Sequence, residues 1–511
     1  MSAKSKIAGV LSLILVLSIG LGVLLSSYNQ PQSNGAMDVS KLIDQPSLSK
    51  FVTQQVDWRQ CYDQFECAQI TVPLDYKHPE GRTIKVSTIR LLAKDQTHRL
   101  GSLLVNPGGP GGSGIDYALA AEFIATKQIL TRYDLIGFDP RGVGRSTPIH
   151  CLTDKETDQM IALDGTPSTP EQVQALMDAA KKMADLCQER AGIMLPFLGS
   201  DNVARDMDLM RAILGDTKLN YLGKSYGTLI GAIYADLFPK RVGHLVLDGA
   251  IDPTVPNAET NRDQARGFQV ALDDYVTDCL KQQTCPGGST RVAVMARINK
   301  LLADADTTPL PSKSGRVATQ SLVVLGIVST LYDSQDGWPA LTLALNQAYR
   351  GEGSGLLSLA DYYVDRDPNG HYSTNSNDIS YAVNCLDKDN RETVAQMSAD
   401  SKTLAQASPN FGAYLAWGLA PCNFWPIPAT PYPAPIVAKG AAPILVVGTT
   451  HDPATPYRWA QGLAKQLQSG SLLTYDGEGH TAYMRGSACI DRAVDAYFLA
   501  DKTPTPGTIC R

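Results

Sequence analysis

The sequence contains no C-x-x-C or C-x-x-H pair, and structural zinc sites favour such close ligand pairs, so its ten cysteines do not read as a metal centre. It also lacks a basic stretch long enough to track a phosphate backbone. With a net charge of −6, nucleic acid is excluded as the expected partner. No G-x-x-x-x-G-K-[ST] lysine follows the glycine-rich segment 108–114, and no acidic residue follows it in dinucleotide register. Nucleotide binding is therefore not expected, and neither a cofactor nor a metal is assigned. Cysteine is missing before Cys61, which excludes a lipid-modified cysteine directly after an export signal. Charge is missing between Lys6 and Asp38.

That last gap is informative. Lys4 and Lys6 precede an uncharged apolar run, 7–25, and a positive flank before such a run is the pattern of an export signal. The run is nearer in length to a membrane anchor than to a signal core. Ser33-Asn34-Gly35 offers only a weak cleavage site, so a cleaved signal and a retained anchor within 1–37 both stay open. The expected location is outside the cell or at the outer face of its membrane, with 7–25 available for membrane association.

An even number of cysteines in an exported chain reads as disulfides. Sequence does not fix a unique pairing of ten cysteines; pairing sequence neighbours gives the expected loops Cys61–Cys67, Cys151–Cys187, Cys279–Cys285, Cys385–Cys422 and Cys489–Cys510. Hydrophobic residues make up 43% and charged residues 19% of the 511, an ordinary globular balance. The length fits one large core with a sizeable insertion, or two domains.

Short apolar runs read as strands at 68–74, 83–92, 103–105, 133–138, 219–223, 245–247, 444–447 and 472–475. Helical spacing falls at 170–189, 202–214, 228–238, 456–467 and 488–499. Strands alternating with helices predict an α/β fold with a mostly parallel sheet covered on both faces. The interval 253–435 breaks the alternation, is helix-rich and ends in the proline-rich stretch 426–435. It reads as a helical cap inserted over the carboxyl ends of the strands, where such sheets bind ligands. The expected division is thus 38–252 for the first part of the core, 253–435 for cap and return linker, and 436–511 for the rest of the core.

Gly223-Lys224-Ser225-Tyr226-Gly227 lies between a strand and a helix. A serine there must take a strained turn that small flanking residues permit, beside a helix N-terminus that favours developing negative charge. Serine needs a base to remove its proton, and the base needs an orienting carboxylate. On such a fold the order is Ser, acid, His. His480 lies in a glycine loop just past the last strand, and Asp452 ends the strand before it. Asp248 also ends a strand and is the alternative acid. His451, adjacent to Asp452, should point away from it, and Asp476 and Glu478 read as loop-shaping or solvent-facing. Oxyanion donors are expected from the N–H of Tyr226 and from Gly109 in the 106–112 loop.

The segments 106–114 (NPGGPGGSG), 137–146 (GFDPRGVGRS), 220–232 (NYLGKSYGTLIGA), 241–253 (RVGHLVLDGAIDP), 382–387 (AVNCLD), 422–425 (CNFW), 451–456 (HDPATP) and 477–481 (GEGHT), with the tail from Cys489 to Cys510, occur in order along the chain. They resemble the exported tripeptidyl and prolyl aminopeptidases of the α/β-hydrolase class, the family with a TAP-like C-terminal segment. The resemblance implies Ser225, Asp452 and His480 as the triad, and release of di- or tripeptides or proline-containing units from substrates with free N-termini. Recognition of a protonated amine calls for carboxylates near the site, and Asp387 is the first candidate, with a local capping role as its alternative. Asp139 and Arg141 read as braces of the oxyanion loop. A secreted esterase or lipase, and a catalytically inactive binding protein on the same fold, are the competing functions.

Overall fold

The computed structural model describes residues 42–282, 285–389 and 391–511. The apolar run 7–25 and its flanks lie outside the described residues. Among the described residues, no helix is long and apolar enough to cross a membrane.

Ten strands form one sheet. In chain order they are β1 (Arg59–Gln60), β2 (Phe65–Pro73), β3 (Thr83–Leu91), β4 (Gly101–Asn106), β5 (Tyr133–Phe138), β6 (Leu219–Lys224), β7 (Val242–Asp248), β10 (Ile444–His451), β11 (Gly470–Glu478) and β12 (Ile509–Cys510). The remaining two, β8 (Leu310–Pro311) and β9 (Val317–Ala318), make a separate hairpin. The spatial order in the sheet is β1-β2-β3-β5-β4-β6-β7-β10-β11-β12. Pairing is antiparallel from β1 to β5 and parallel from β5 through β12.

Alternation along the strands explains why both faces are covered. Leu104, Ile136, Tyr221, Leu245, Leu247, Ile444 and Val446 pack into one core. Their neighbours Leu103, Val105, Leu135, Leu222, Val246, Leu445 and Val447 pack into the core on the opposite face. Successive side chains point to opposite faces of a strand, so a run apolar at every position needs helices on both sides. The fold is that of an α/β hydrolase.

Between β7 and β10 the described regular elements are helices apart from the β8–β9 hairpin. It has a core of its own, in which Phe268, Leu272, Tyr275, Ile298, Ile327, Leu345 and Leu356 are buried together. One helix from earlier in the chain joins this covering layer: α1 (Pro170–Ala191) sets Leu176, Met177 and Ala180 against Met397, Leu404 and Trp417. The layer over the sheet therefore draws on residues before 253 as well as after it. Disulfides join Cys61 to Cys67, Cys151 to Cys187, Cys279 to Cys285, Cys385 to Cys422 and Cys489 to Cys510.

Two strands run further than their apolar stretches indicate. β10 continues through Thr449 and Thr450 to His451, and β11 continues to Glu478. Ladder pairing of His451 with Glu478 carries the polar ends along, with a register shift between Thr449 and His451. Hydrophobicity marks where a strand is buried, and backbone pairing extends past that point.

Candidate active site

Parallel strands deliver their carboxyl ends to one edge of the sheet. β6 ends at Lys224, β7 at Asp248, β10 at His451 and β11 at Glu478. Ser225, Asp452 and His480 follow within two residues of three of these ends, and the 107–112 loop follows the end of β4.

Ser225 holds φ 54° and ψ −123°, a backbone region that L-residues rarely adopt. Its N–H donates to the Asp248 carbonyl across 2.9 Å, and α3 (Tyr226–Leu237) begins at once behind it. The flanking glycines are required by space. A Cβ on Gly223 would lie 2.5 Å from the Gly227 carbonyl oxygen, and one on Gly227 would lie 2.8 Å from Asn106 Oδ1. The turn is this tight because strand, helix and the β4 loop meet there.

His480 is held from three sides. Its Nδ1 lies 2.9 and 3.0 Å from the two carboxylate oxygens of Asp452. An ionised carboxylate only accepts, so Nδ1–H is the donor and Nε2 carries the free lone pair. Asp452 has no exposed side-chain surface, and His480 has 11%. Asp452 Oδ1 also accepts the N–H groups of Ala454 and Thr455, and Oδ2 accepts the Thr455 hydroxyl and the Thr481 N–H. These donors hold the buried carboxylate in one orientation. Thr455 Oγ1 stands 3.4 Å from the same Nδ1, and the third side is Tyr332, whose carbonyl accepts the His480 backbone N–H at 2.9 Å and whose ring meets the imidazole edge-on, centroids 5.3 Å apart.

The ring and the serine are neighbours through Asp248 and Gly249. A Cβ on Gly249 would stand 3.3 Å from His480 Cε1, while Asp248 holds the Ser225 N–H. Among the described residues, no hydrogen bond joins the Ser225 hydroxyl to the ring. Such contacts are often long in the absence of substrate and tighten when it binds.

Asp248, weighed as the alternative acid, is engaged elsewhere. Its carboxylate accepts the N–H groups of Ala482 and Tyr483 and stands 3.5 Å from Lys224 Nζ. Lys224 Nζ donates in turn to the Tyr483 carbonyl at 2.7 Å. Burial pulls this ammonium below its ordinary range, while Asp248 opposes the shift. The pair thus ties the serine turn to the loop that carries His480. A buried lysine beside the serine was legible as a position but not as a brace, because Tyr483, whose carbonyl it binds, lies 259 residues away.

The 106–112 loop packs against the same turn. A Cβ on Gly108, φ +90°, would lie 2.7 Å from the Tyr226 nitrogen. The Gly108 N–H is committed to Asn106 Oδ1 at 2.9 Å. Gly109 lines the cleft with Pro110, Ser225 and Tyr226. Asp139 accepts from the Ser113 hydroxyl and the Arg145 N–H, and Arg141 is buried with two bonds to Asp206 and others to the carbonyls of Pro73, Leu74 and Phe197. Arg141 therefore fastens its loop to α2 (Ser200–Ile213) and to the end of β2.

Asp387, expected to receive a substrate amine, is committed to the protein. It accepts the Ser200 N–H at 3.0 Å, capping α2, and the Tyr226 hydroxyl at 2.6 Å. Burial holds its carboxyl above the ordinary range, and these two donors only partly offset that. The helix it caps is thus 187 residues away in sequence. His451 points away from Asp452: its Nδ1 meets Asp274 Oδ2 and Glu478 Oε1, each at 2.9 Å. Burial, with Asp274 nearby, holds the Glu478 carboxyl up to about 7.

The cleft in front of Ser225 has a volume of about 260 Å³. The covering layer supplies Tyr332, Lys388, Leu415 and Leu419, and the carboxamides Asn257, Asn261, Gln264 and Asn384 also line it. Tyr332 is a residue that sequence reasoning missed. Nothing distinguishes it from the other tyrosines until the layer folds back over the sheet.

Residues 408–510 match the family model described as TAP-like protein. The chain is 39% identical over 456 residues to the protein named serine protease Hip1 of Mycobacterium tuberculosis, covering 87% of each. It is 40% identical over 475 residues to the protein named carboxylesterase B of the same organism, covering 90% of each. To the tripeptidyl aminopeptidase of Streptomyces lividans it is 31% identical over 468 residues, covering 89% of this chain and 86% of that one. The strained serine turn, the carboxylate-held imidazole and similarity along most of the chain lead to one assignment: the chain belongs to the TAP-like family of α/β-hydrolase serine peptidases.

Proposed function

We propose that the protein is an exported serine aminopeptidase that releases short peptides from free N-termini through an acyl-enzyme. The observation that carries the mechanism is the His480–Asp452 hydrogen bond of 2.9 Å at the strand edge that also bears the strained Ser225. In the mechanism, His480 Nε2 takes the proton from Ser225 Oγ as Oγ bonds to the scissile carbonyl carbon. Asp452 holds Nδ1–H and stabilises the imidazolium. The N–H groups of Tyr226 and Gly109 receive the oxyanion. The imidazolium then protonates the leaving amine as the C–N bond breaks. Water, activated by the same imidazole, releases the short peptide and restores the serine.

In this reading the helical interval 253–435 acts as a cap that limits how much peptide fits beyond Ser225. The carboxamide oxygens of the lining receive the substrate amine. Five disulfides support export, since such bonds persist in oxidising compartments.

A second reading, a carboxylesterase-type hydrolase, is favoured by one observation. Among the described residues, the cleft lining includes Lys388 but no carboxylate, and an ammonium gains less from carboxamides than from a charged partner. The deciding experiment compares tripeptide anilides with free and acetylated N-termini and a matching acyl ester. An aminopeptidase loses activity on the acetylated anilide. Equal rates on free and blocked substrates, with the ester preferred, would replace it by the esterase reading.

A further inference from the structure

Beside the catalytic edge, three side chains from three elements converge on a point the proposed mechanism does not use. Asp274 comes from α4 (Asn257–Cys279) in the covering layer, His451 ends β10 and Glu478 ends β11. One donor atom from each lies within 4.8 Å of the other two. His451 Nδ1 is 2.9 Å from Asp274 Oδ2 and 2.9 Å from Glu478 Oε1. The second oxygen of Glu478 is closed off from solvent and has no hydrogen-bond partner.

With both carboxylates ionised, the cluster is poorly satisfied by hydrogen bonds alone. Nδ1 carries at most one proton, which points well at one acceptor, and two carboxylates converge on it. Protonating Nε2 adds charge on the far side of the ring and no donor here. A cation at the meeting point would serve all three groups at once. Zinc-type bonds to imidazole nitrogen and carboxylate oxygen are about 2.0–2.2 Å, so ligands at 90–110° around one ion stand roughly 2.9–3.5 Å apart. Both separations from Nδ1 fall in that range. The free Glu478 oxygen allows that carboxylate to bind through both oxygens. One imidazole with two carboxylates suits a divalent transition ion better than Ca²⁺ or Mg²⁺, which prefer oxygen alone.

We propose that Asp274, His451 and Glu478 form a binding site for a divalent transition-metal ion of zinc type, fastening the covering layer to the ends of β10 and β11. His451 is adjacent to Asp452, and Glu478 precedes His480 by two residues. The ion acts through position: it fixes the strand ends from which the acid and the base project. The three ligands are far apart in the sequence, so no close-pair spacing announces them.

The test uses the whole protein, stripped with a chelator, dialysed and titrated calorimetrically with ZnCl₂ and, separately, CaCl₂. One zinc equivalent should bind, with no matching calcium heat. Asp274→Asn and His451→Gln should each weaken that event at least about tenfold, on the scale that losing a ligand or its support costs. Exposed pairs such as His98–Asp95 and His371–Asp154 would take up zinc equally in all variants. Zinc binding that is absent, or the same in wild type and both variants, overturns the proposal. If a variant fails to fold, X-ray absorption of wild type with one zinc equivalent decides. One imidazole with oxygen ligands supports the site, and a shell of several imidazoles overturns it. Neither readout depends on peptidase activity, so failure here leaves the proposed function standing.

Discussion

The Tyr226 hydroxyl donates to Asp387 Oδ2 across 2.6 Å, linking the residue after the strained serine to the end of helix α5 (Ser376–Asp387). The same carboxylate caps α2 through the Ser200 N–H. One side chain thus ties together the turn, a helix beneath it and a helix of the covering layer. Removing the carboxylate should reach the site without touching substrate.

Asp387→Ala leaves the Ser200 N–H and the Tyr226 hydroxyl unpaired in a buried setting, which costs about 1–3 kcal/mol. Tyr226→Phe should cost about 1 kcal/mol. Because the two residues share one bond, the double variant should lose less than the sum. Urea unfolding of the four proteins measures the coupling, and strict additivity would contradict a direct role for the bond. A parallel fall in kcat for Asp387→Ala is expected, since the Tyr226 N–H is the proposed oxyanion donor.

Ser225→Ala should lower kcat by roughly 10⁴ or more with the fold intact, and should abolish labelling by a fluorophosphonate. An inactive binding protein would show no labelling even in wild type. Asp452→Asn should approach the serine variant, because it spoils the hydrogen bond that sets the His480 tautomer. Asp248→Asn, which faces the N–H groups of Ala482 and Tyr483, should cost much less in kcat. The reverse ranking would reassign the acid.

The Cys385–Cys422 bond closes a span of 37 residues and anchors the helix that carries Asp387. Chain-entropy reasoning gives about 4 kcal/mol for a loop of that size. The double serine variant should unfold at correspondingly lower denaturant, and its activity should fall alongside that of Asp387→Ala.

Glu156 offers a pH test of the covering layer. Its hydrogen bond from Arg190 holds the carboxyl down to about 2, below the ordinary value of 4.5. A depressed folded-state value means the pair stabilises above pH 4.5, and that this stability fades as pH falls toward 2. Thermal midpoints of wild type and Glu156→Gln should therefore differ at pH 6 and draw together as the pH is lowered to about 3.5. A gap that stays constant over that range would mean the charge contributes nothing.

How much was legible follows from how far each determinant reaches. Strand alternation and turn chemistry act over a few residues, so the parallel sheet, the serine turn and the order of Ser225, Asp452 and His480 are written locally. Strand ends are less legible, because pairing continues through polar residues such as Thr449 to Glu478's partner, His451.

The amino-acid order alone determined that apolar strands would be covered on both faces, that glycines would flank a serine at a strand-to-helix turn, and that cysteines would suit an oxidising compartment. Only the folded chain decided what each charged or aromatic group does. Asp387 came to accept from Ser200 and Tyr226, Tyr332 came to rest on His480, and Asp274 met His451 and Glu478. The reason is physical: hydrogen bonds and charge pairs act over a few ångströms of space, and which residues fall within that reach depends on how the covering layer packs back over the sheet.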